Sequence, residues 1–184
     1  AVCLFGVGTG GSGESFGDIK DVNPREREIL GMIPFRVTDD ELAEGDREKY
    51  WFGKQLENND VAYYLKRFEQ DPEIRTLWRD GDEDEDGSTV EEGVHTSDRS
   101  DSIESFVHLM LKINKKDLRE HFDKNGNIDA TLFNSLGLFT GEKREFEDGK
   151  VEYANVKLFS KLNINNESFT VNKELTIHYR IYAL

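Results

Sequence analysis

The sequence has very little of the chemistry on which covalent cross-links and catalytic sites depend. Its 184 residues include one cysteine, Cys3, so no internal disulfide can form. The four histidines, His95, His108, His121 and His178, stand in no recognisable pattern with a nucleophile or with further metal ligands. Walker loops, His-Glu-x-x-His motifs and Cys-x-x-Cys motifs are absent. We therefore expect a protein that is not an enzyme and that binds no cofactor or small-molecule substrate.

Long apolar runs and positive charge are also scarce. No apolar segment approaches the roughly 18 residues of a membrane span, and no basic region precedes the apolar opening 1–5. Acidic residues number 38 against 24 Lys and Arg, which gives a net charge of -14. Such a surface repels phosphate backbones and anionic lipid. We expect a soluble protein without a standard secretion signal, whose main activity involves neither nucleic acid nor membrane.

Alternation of apolar and polar residues is the clearest pattern that is present. In the segment 175–183 one face is formed by Leu175, Ile177, Tyr179, Ile181 and Ala183. In the segment 153–164 one face is formed by Val156, Leu158, Ser160, Leu162 and Ile164. A period of two indicates a strand with one buried and one solvated face. The polar run 165–168 between the segments predicts that the two strands pair with each other.

Other segments show strand patterns that are shorter or less regular. We predict strands at 1–7, 32–37, 61–68, 74–79, 105–113 and 130–139, with 61–68 and 74–79 as a second antiparallel pair. The capping-box spacing of Thr38 and Glu41 favours a brief helix near 39–44. The sequence therefore predicts a single β-rich domain over 1–184. We expect a mainly β fold with an antiparallel β-sandwich-like core, one short helix near 115–123 and long loops.

An extended glycine-rich segment, 8–31, opens with Gly8-Thr9-Gly10-Gly11-Ser12-Gly13. After a strand, this spacing matches the dinucleotide fingerprint, so a nucleotide-binding enzyme is one alternative function. That mechanism requires a helix to begin at the last glycine, because its free N–H groups must face a phosphate. The following residues include an acid, a further glycine and a proline, all poor for that role. They favour a flexible or tightly turned loop.

The segment 80–104 is the compositional outlier, because it carries eleven acidic side chains against Arg99 alone. It is predicted to be a solvated acidic loop. Within it, Asp82, Asp84 and Asp86 have the spacing of the first half of a calcium loop. The second half departs from that pattern, since the twelfth position is Gly93 where a bidentate glutamate is required. A calcium-dependent binding module is therefore a second alternative, and a weak cation-attracting loop is the simpler interpretation.

An aromatic cluster, Tyr50-Trp51-Phe52, stands in a charged stretch of the sequence. Two interpretations remain open, a core anchor for a loop or a contact with another subunit, because aromatic side chains bury much area for little lost entropy. Phe16 is a further candidate interface residue. His108 lies in a predicted central strand, and we expect it to be a hydrogen-bonded histidine at the edge of the core, not a metal ligand.

Five stretches taken together resemble a known class of proteins. They are 5–13 (FGVGTGGSG), 32–36 (MIPFR), 138–141 (LFTG), 156–164 (VKLFSKLNI) and 174–182 (ELTIHYRIY). In this combination they resemble small virion structural proteins of tailed bacteriophages. The resemblance spans most of the chain, but its motifs are loosely defined and are not catalytic signatures. The acidic loop 80–104 has no counterpart in it.

The resemblance implies a β-rich subunit that works by assembling with copies of itself and with neighbouring virion proteins. It also implies a location in the virion after assembly in the host cytoplasm, at the neck, tail, baseplate or capsid surface. Loops carried on a rigid sheet suit such interfaces. The leading expectation is therefore a structural protein of a tailed phage.

Overall fold

A computed structural model describes most of the chain. The described residues are 1–13, 18–22, 25, 27–39, 42–79, 90–94, 102–114, 116–119, 121, 131–147, 149–169 and 174–182. The chain divides into two compact units. The larger unit comprises Ala1–Phe68 and Lys112–Leu175, and the smaller unit comprises Glu69–Leu111 and Thr176–Leu184.

Eleven strands and one short helix have bounds within the described residues. The strands are β1 (Val2–Gly8), β2 (Met32–Ile33), β3 (Arg36–Thr38), β4 (Tyr50–Gln55), β5 (Val61–Arg67), β6 (Glu73–Arg79), β7 (Val90–Val94), β8 (Ser102–Ile113), β9 (Thr131–Glu145), β10 (Val151–Phe169) and β11 (Leu175–Tyr182). The helix α1 covers Glu44–Arg47. The chain is mainly β, as predicted, and its antiparallel sheets are consistent with a β-sandwich-like core.

The short helix α1 does not lie where its sequence signal predicted it. The capping box at Thr38 placed a helix near 39–44, but α1 begins at Glu44, and its N-cap residue Ala43 makes no side-chain capping hydrogen bond. Of the helix predicted near 115–123, only 116–119 and 121 are described: 116–118 form a turn, and 119 and 121 are helical, in agreement with the prediction. The rest of that prediction falls outside the described residues.

The larger unit contains a seven-stranded sheet in the order β10-β9-β1-β5, with β4 on the far side of β5. The short strands β2 and β3 pair with β1 and β5 respectively. We predicted one strand at 32–37, but the chain turns a corner between β2 and β3. Pro34 lies at this corner, where a residue without an N–H removes no ladder hydrogen bond.

Strand β1 is buried on both faces, because a core forms on each side of it. One core cluster contains Leu4, Ile29, Leu65, Phe139 and Tyr153. On the opposite face, the Phe5 ring meets the edge of Phe35 at a centroid distance of 5.4 Å and stacks on Phe68 at 5.6 Å. Burial on both faces explains why the opening strand reads as a continuous apolar run.

A fully buried ion pair joins β5 to the segment that follows β8. Lys66 Nζ donates to Asp117 Oδ2 at 2.7 Å and to the Lys112 carbonyl at 2.8 Å, and both charged side chains have no exposed surface. The Tyr50 hydroxyl donates to the other carboxylate oxygen, Oδ1, at 2.5 Å. The backbone N–H of Asn114 also donates to Oδ2. Each buried charge thus has partners, which is the condition for its burial.

Burial, and next the negative charge of Asp117, raise the pKa of the Tyr50 phenol above its ordinary value. The phenol therefore stays protonated and acts as a donor to the carboxylate. Beside this network Leu118 adopts a left-handed backbone, with φ of 65°, and its N–H donates to the Phe35 carbonyl. The network thus fixes Asp117 and Leu118 over the Phe5 face of the sheet.

Strand β10 does not keep the uninterrupted alternation that its sequence suggested. Its register against β9 shifts between Leu158 and Ser160, which is a β-bulge at Phe159. A one-residue slip exchanges the two faces of a strand. Consequently Asn163 is buried and donates to the Lys20 carbonyl, whereas Leu162, expected on the apolar face, is 39% exposed.

The smaller unit contains a four-stranded sheet in the order β11-β8-β6-β7. The prediction that 105–113 is a central strand is confirmed. Both predicted strand pairs are wrong, because β10 pairs with β9 and β11 with β8, while β5 and β6 belong to different sheets. Hydrophobic alternation identifies a strand and its buried face, but it does not identify the partner strand.

Removal of the Asp117 charge tests the buried ion pair. We expect Asp117→Asn to lower the free energy of unfolding by about 3–5 kcal/mol, because Lys66 keeps a buried charge without its counterion. The matched control is the exposed pair of Arg75 and Glu73, where Glu73→Gln should cost less than about 1 kcal/mol. Urea unfolding measures both values, and equal small losses would contradict the assignment.

Candidate functional site

Four strands of the larger sheet, β2, β3, β4 and β10, pair along one side only among the described residues, and β4 and β10 are the longest of them. In the described residues β4 pairs only with β5, and β10 pairs only with β9. Strand edges expose backbone donors and acceptors that are ready to pair with another chain. The free edges of β4 and β10 are therefore candidate binding surfaces.

The sheet of the larger unit curves so strongly that its two outer strands approach each other. Laid flat, the path from β10 through β9, β1 and β5 to β4 would separate its ends by roughly 19 Å. Instead the rings of Trp51 in β4 and Tyr153 in β10 meet edge to face, with centroids 5.7 Å apart. We call the gap between these strands the seam: its side chains touch, but no backbone ladder closes it among the described residues.

Two clefts open along the seam. The first, of about 590 Å³, lies between β4, α1 and the turn 149–151, and we call it the Trp51 cleft. The second, of about 750 Å³, reaches the core cluster and is lined by Ile29, Met32, Leu65, Phe139, Val156 and Leu158, and we call it the Phe139 cleft. Phe52 lines both clefts. A mainly apolar groove with charged residues at its sides is typical of a binding site.

Charged side chains also line the seam. Arg47, Lys150, Glu44 and Glu48 line the Trp51 cleft, and Arg27, Lys157 and Glu28 line the Phe139 cleft. Cations thus outnumber acids here, although the chain as a whole carries a net charge of -14. The seam is a locally non-negative region of an acidic protein.

Phe52 has an unusual backbone for a residue in a strand. Its φ is 61°, in the left-handed region that costs a non-glycine residue roughly 1 kcal/mol or more. Its ring stays 55% exposed and contacts only the edge of Tyr64 among the described aromatic rings, at 6.3 Å. Exposed aromatic surface and backbone strain thus coincide at the position shared by both clefts.

The predicted interface residues separate in the structure. The Tyr50 side chain is buried in the network with Asp117, Trp51 is half-buried against the core cluster, and Phe52 is exposed at the seam. Consecutive strand residues point to opposite faces, so the triplet cannot act as one surface. Phe16 lies outside the described residues.

The glycine-rich loop packs against protein, and its N–H groups are used within the chain. Thr9 and Gly10 donate to the carbonyls of Gly31 and Leu30, and Gly13 donates to the Asp18 carbonyl. Gly11 donates to the Asn134 side-chain oxygen at 2.7 Å. In the dinucleotide fingerprint, such N–H groups face a phosphate.

Close backbone approach explains the glycine at position 11. A Cβ there would lie 2.1 Å from the Asn134 carbonyl oxygen in β9. The Asn134 side chain in turn donates to Ser12, and Ser12 forms a β-bridge with Ile19. In the described parts of 8–31 the glycines thus serve strand packing, and no helix follows Gly13 among these residues.

A histidine pair lies on the smaller sheet. His108 Nε2 and His178 Nδ1 are 2.9 Å apart, which confirms the prediction that His108 is hydrogen-bonded, and the two rings are nearly parallel. Burial, then the positive charge of Arg75 and that of His178, lower the pKa of His108, while Glu92 and Glu73 oppose the shift. The described residues contain no group of three or more metal-ligating side chains.

Two other expectations concern the acidic loop and the membrane. Asp82, Asp84 and Asp86 lie outside the described residues, so calcium binding by this loop remains a prediction. None of the helices in the described ranges is both long and apolar enough to cross a bilayer.

Comparisons with known proteins return no match: no family model, no curated protein and no solved structure corresponds to this chain. The candidate site is therefore argued from its own geometry.

Sequence reasoning missed the features that define this site. It did not single out Lys66, although a lysine inside an aromatic strand, Tyr63-Tyr64-Leu65-Lys66, signals a buried charge that needs a partner. The pairing of His108 with His178 joins residues 70 apart in sequence. The seam has no local signal, because it depends on the curvature of a sheet built from distant segments.

An alanine substitution tests the packing role of the glycine loop. We expect Gly11→Ala to lower the free energy of unfolding by about 1–3 kcal/mol, because the new Cβ collides with the backbone of β9. Gly45→Ala is the matched control, since nothing lies within 4 Å of a Cβ there and alanine favours helix. Urea unfolding compares the two variants, and a Gly11→Ala protein as stable as the wild type would refute the packing role.

The histidine pair predicts a pH dependence of stability. Because the pKa of His108 is lower in the folded state than in the unfolded state, the unfolded chain binds the proton first as the pH falls. The contribution of His108 to the free energy of unfolding is therefore fully present above a pH of about 6.5, the pKa of histidine in the unfolded chain. It declines as the pH falls below that value. The lowered pKa of His121, caused by burial, acts in the same direction.

Thermal melting between pH 8 and pH 5 measures this effect. We expect Tm to fall on acidification and His108→Gln to reduce the slope, leaving the part due to His121. An unchanged slope in that variant would show that His108 does not contribute.

Proposed function

We propose that this chain is a non-catalytic structural subunit that acts by assembling with copies of itself and with neighbouring proteins. The observation that carries the proposal is the pair of strand edges, on β4 and β10, that stay open among the described residues and bear exposed apolar side chains. Phe52 on β4 is 55% exposed, and Phe159 and Leu162 on β10 are 53% and 39% exposed.

Open apolar edges are costly for a protein that works alone. Monomeric proteins usually cover such edges or protect them with charge, proline or bulges, because an uncovered edge invites pairing with another chain. β10 has a bulge at Phe159, but that residue leaves its ring in solvent. A strand of 19 residues with exposed aromatic surface fits a role in which another subunit covers it.

The charge of the chain determines the conditions under which assembly occurs. A net charge of -14 keeps free subunits apart at low ionic strength, because like charges repel over a Debye length of about 10 Å at 0.1 M salt. Added salt screens this repulsion and leaves apolar contacts intact. Assembly is therefore favoured as ionic strength rises.

The more specific proposal is a virion structural protein of a tailed bacteriophage, located in the particle after assembly in the host cytoplasm. It rests on the sequence stretches that resemble such proteins, and the β-rich fold with open edges supports it. An antibody raised against the chain should label purified particles from the source culture at one fixed location. Particles that contain none of the chain would refute the phage assignment.

Light scattering on the purified chain tests assembly directly. We expect the mean mass to rise with protein concentration and with salt, and Phe159→Lys to reduce this rise, because a charge on an open edge opposes pairing. Ile74→Lys is the matched control, since Ile74 is 55% exposed in the other sheet. A monomer at low and high salt, with particle proteins also supplied, would refute the assembly function.

A further inference from the structure

We infer that the seam between β4 and β10 accepts one extended strand from a different protein, which runs antiparallel to both edges. The inference rests on the proposed assembly function and names the partner chemistry for it. The strand pairings of the larger sheet determine the directions of its two edges.

The two edges of the seam run in the same direction. Each of the four pairings along the path, β10 with β9, β9 with β1, β1 with β5 and β5 with β4, is antiparallel. An even number of reversals leaves β10 and β4 parallel to each other. They cannot close an antiparallel sheet by pairing directly, whereas a single added strand of opposite direction pairs antiparallel with both.

The clefts lie along the edges that such a strand would use. The Trp51 cleft is lined by 51–53 on one side and 149–151 on the other, and the Phe139 cleft by Phe52 and 156–158. Trp51 and Tyr153 pack inward against the core cluster, so their contact lies on the inner side of the seam. Residues of both β4 and β10 line each cleft, which favours a polypeptide that can pair with a strand edge over a small molecule that cannot.

The lining determines the side chains that the strand must carry. Alternate residues of an extended segment point to one face, and those facing inward meet the apolar wall of the Phe139 cleft formed by Leu65, Phe139 and Leu158. At the same cleft, Arg27 and Lys157 outnumber Glu28, so a carboxylate at one end of the segment finds a complementary charge. The occupant is therefore an extended segment, apolar at every second position, with an acidic end.

A second copy of this chain is a poor donor of that strand. A strand inserted in the seam uses both of its edges, yet every strand of the described residues already pairs along at least one edge. Donation of any of these described strands would require a copy to surrender part of its own sheet. A segment of another protein that is free on both sides meets no such cost.

A synthetic peptide tests the inference. The probe is acetyl-Glu-Val-Thr-Val-Thr-Val-amide, which has six residues like β4 and is apolar at alternate positions. We expect it to raise Tm of the full chain in a concentration-dependent manner and to protect the amides of 50–55 and 151–158 from hydrogen exchange. The control peptide has proline in place of the central valine, which removes a ladder donor, and it should do neither.

Two variants locate the binding. Phe52→Lys should weaken peptide binding about tenfold, since the substitution removes an aromatic side chain that lines both clefts. Lys157→Glu should weaken binding of the same peptide, because the new carboxylate repels the glutamate of the peptide. Ile74→Lys, at a position equally exposed in the other sheet, should leave binding unchanged.

Each remaining outcome overturns the inference. Absence of any Tm shift up to millimolar peptide, equal binding of the proline peptide, or protection elsewhere in the chain would show that the seam accepts no strand. Dimers of the isolated chain that protect the same amides would make a second copy the donor. Light scattering distinguishes failure of this inference from failure of the proposed assembly function. If the chain assembles but no peptide protects the seam, the assembly function is supported and the inference that the seam accepts a strand is wrong.

Discussion

The buried ion pair between Lys66 and Asp117 is the interaction on which the larger unit depends. Lys66 lies in β5, the strand that pairs with β1, β3 and β4, so its burial fixes the centre of the sheet. Asp117 lies on a segment that would otherwise be a surface connection. Because a buried charge without a partner is strongly destabilising, Asp117 must stay over the Phe5 face. The hydroxyl of Tyr50 adds a third buried group that requires the same geometry.

This rigid centre contrasts with the open edges of the same sheet. Buried side chains pack on both faces of β1, whereas β4 and β10 end at a seam that no backbone ladder closes among the described residues. Tyr50 and Phe52 illustrate the contrast within one strand, since the first belongs to the buried network and the second lies exposed between two clefts. The chain thus combines a buried, ion-paired centre with exposed backbone and aromatic surface at its edges. That combination is what a structural assembly protein needs.

The glycine loop shows how one motif supports two physical interpretations. Spacing alone matches a phosphate cradle, but the function of such a cradle depends on N–H groups that are free to face an anion. Here those of Thr9, Gly10 and Gly13 donate to backbone carbonyls, and that of Gly11 to an asparagine side chain. Glycine is required at position 11 because the Asn134 backbone comes too close for a Cβ. Hydrogen-bond partners, not spacing, therefore distinguish the two interpretations.

The sequence by itself determined most of the strands, though not β4 or β7, the buried faces in regular segments such as β11, and the overall β character, because these follow from a local period of two. It did not determine strand partners, the bulge at Phe159 or the exact position of α1, since each depends on contacts with distant segments. The ion pair of Lys66 and Asp117 and the histidine pair join residues 51 and 70 positions apart. The seam, above all, was decided only by tertiary structure, because it arises from the curvature and the strand parity of a whole sheet. Neither property is carried by any single stretch of residues.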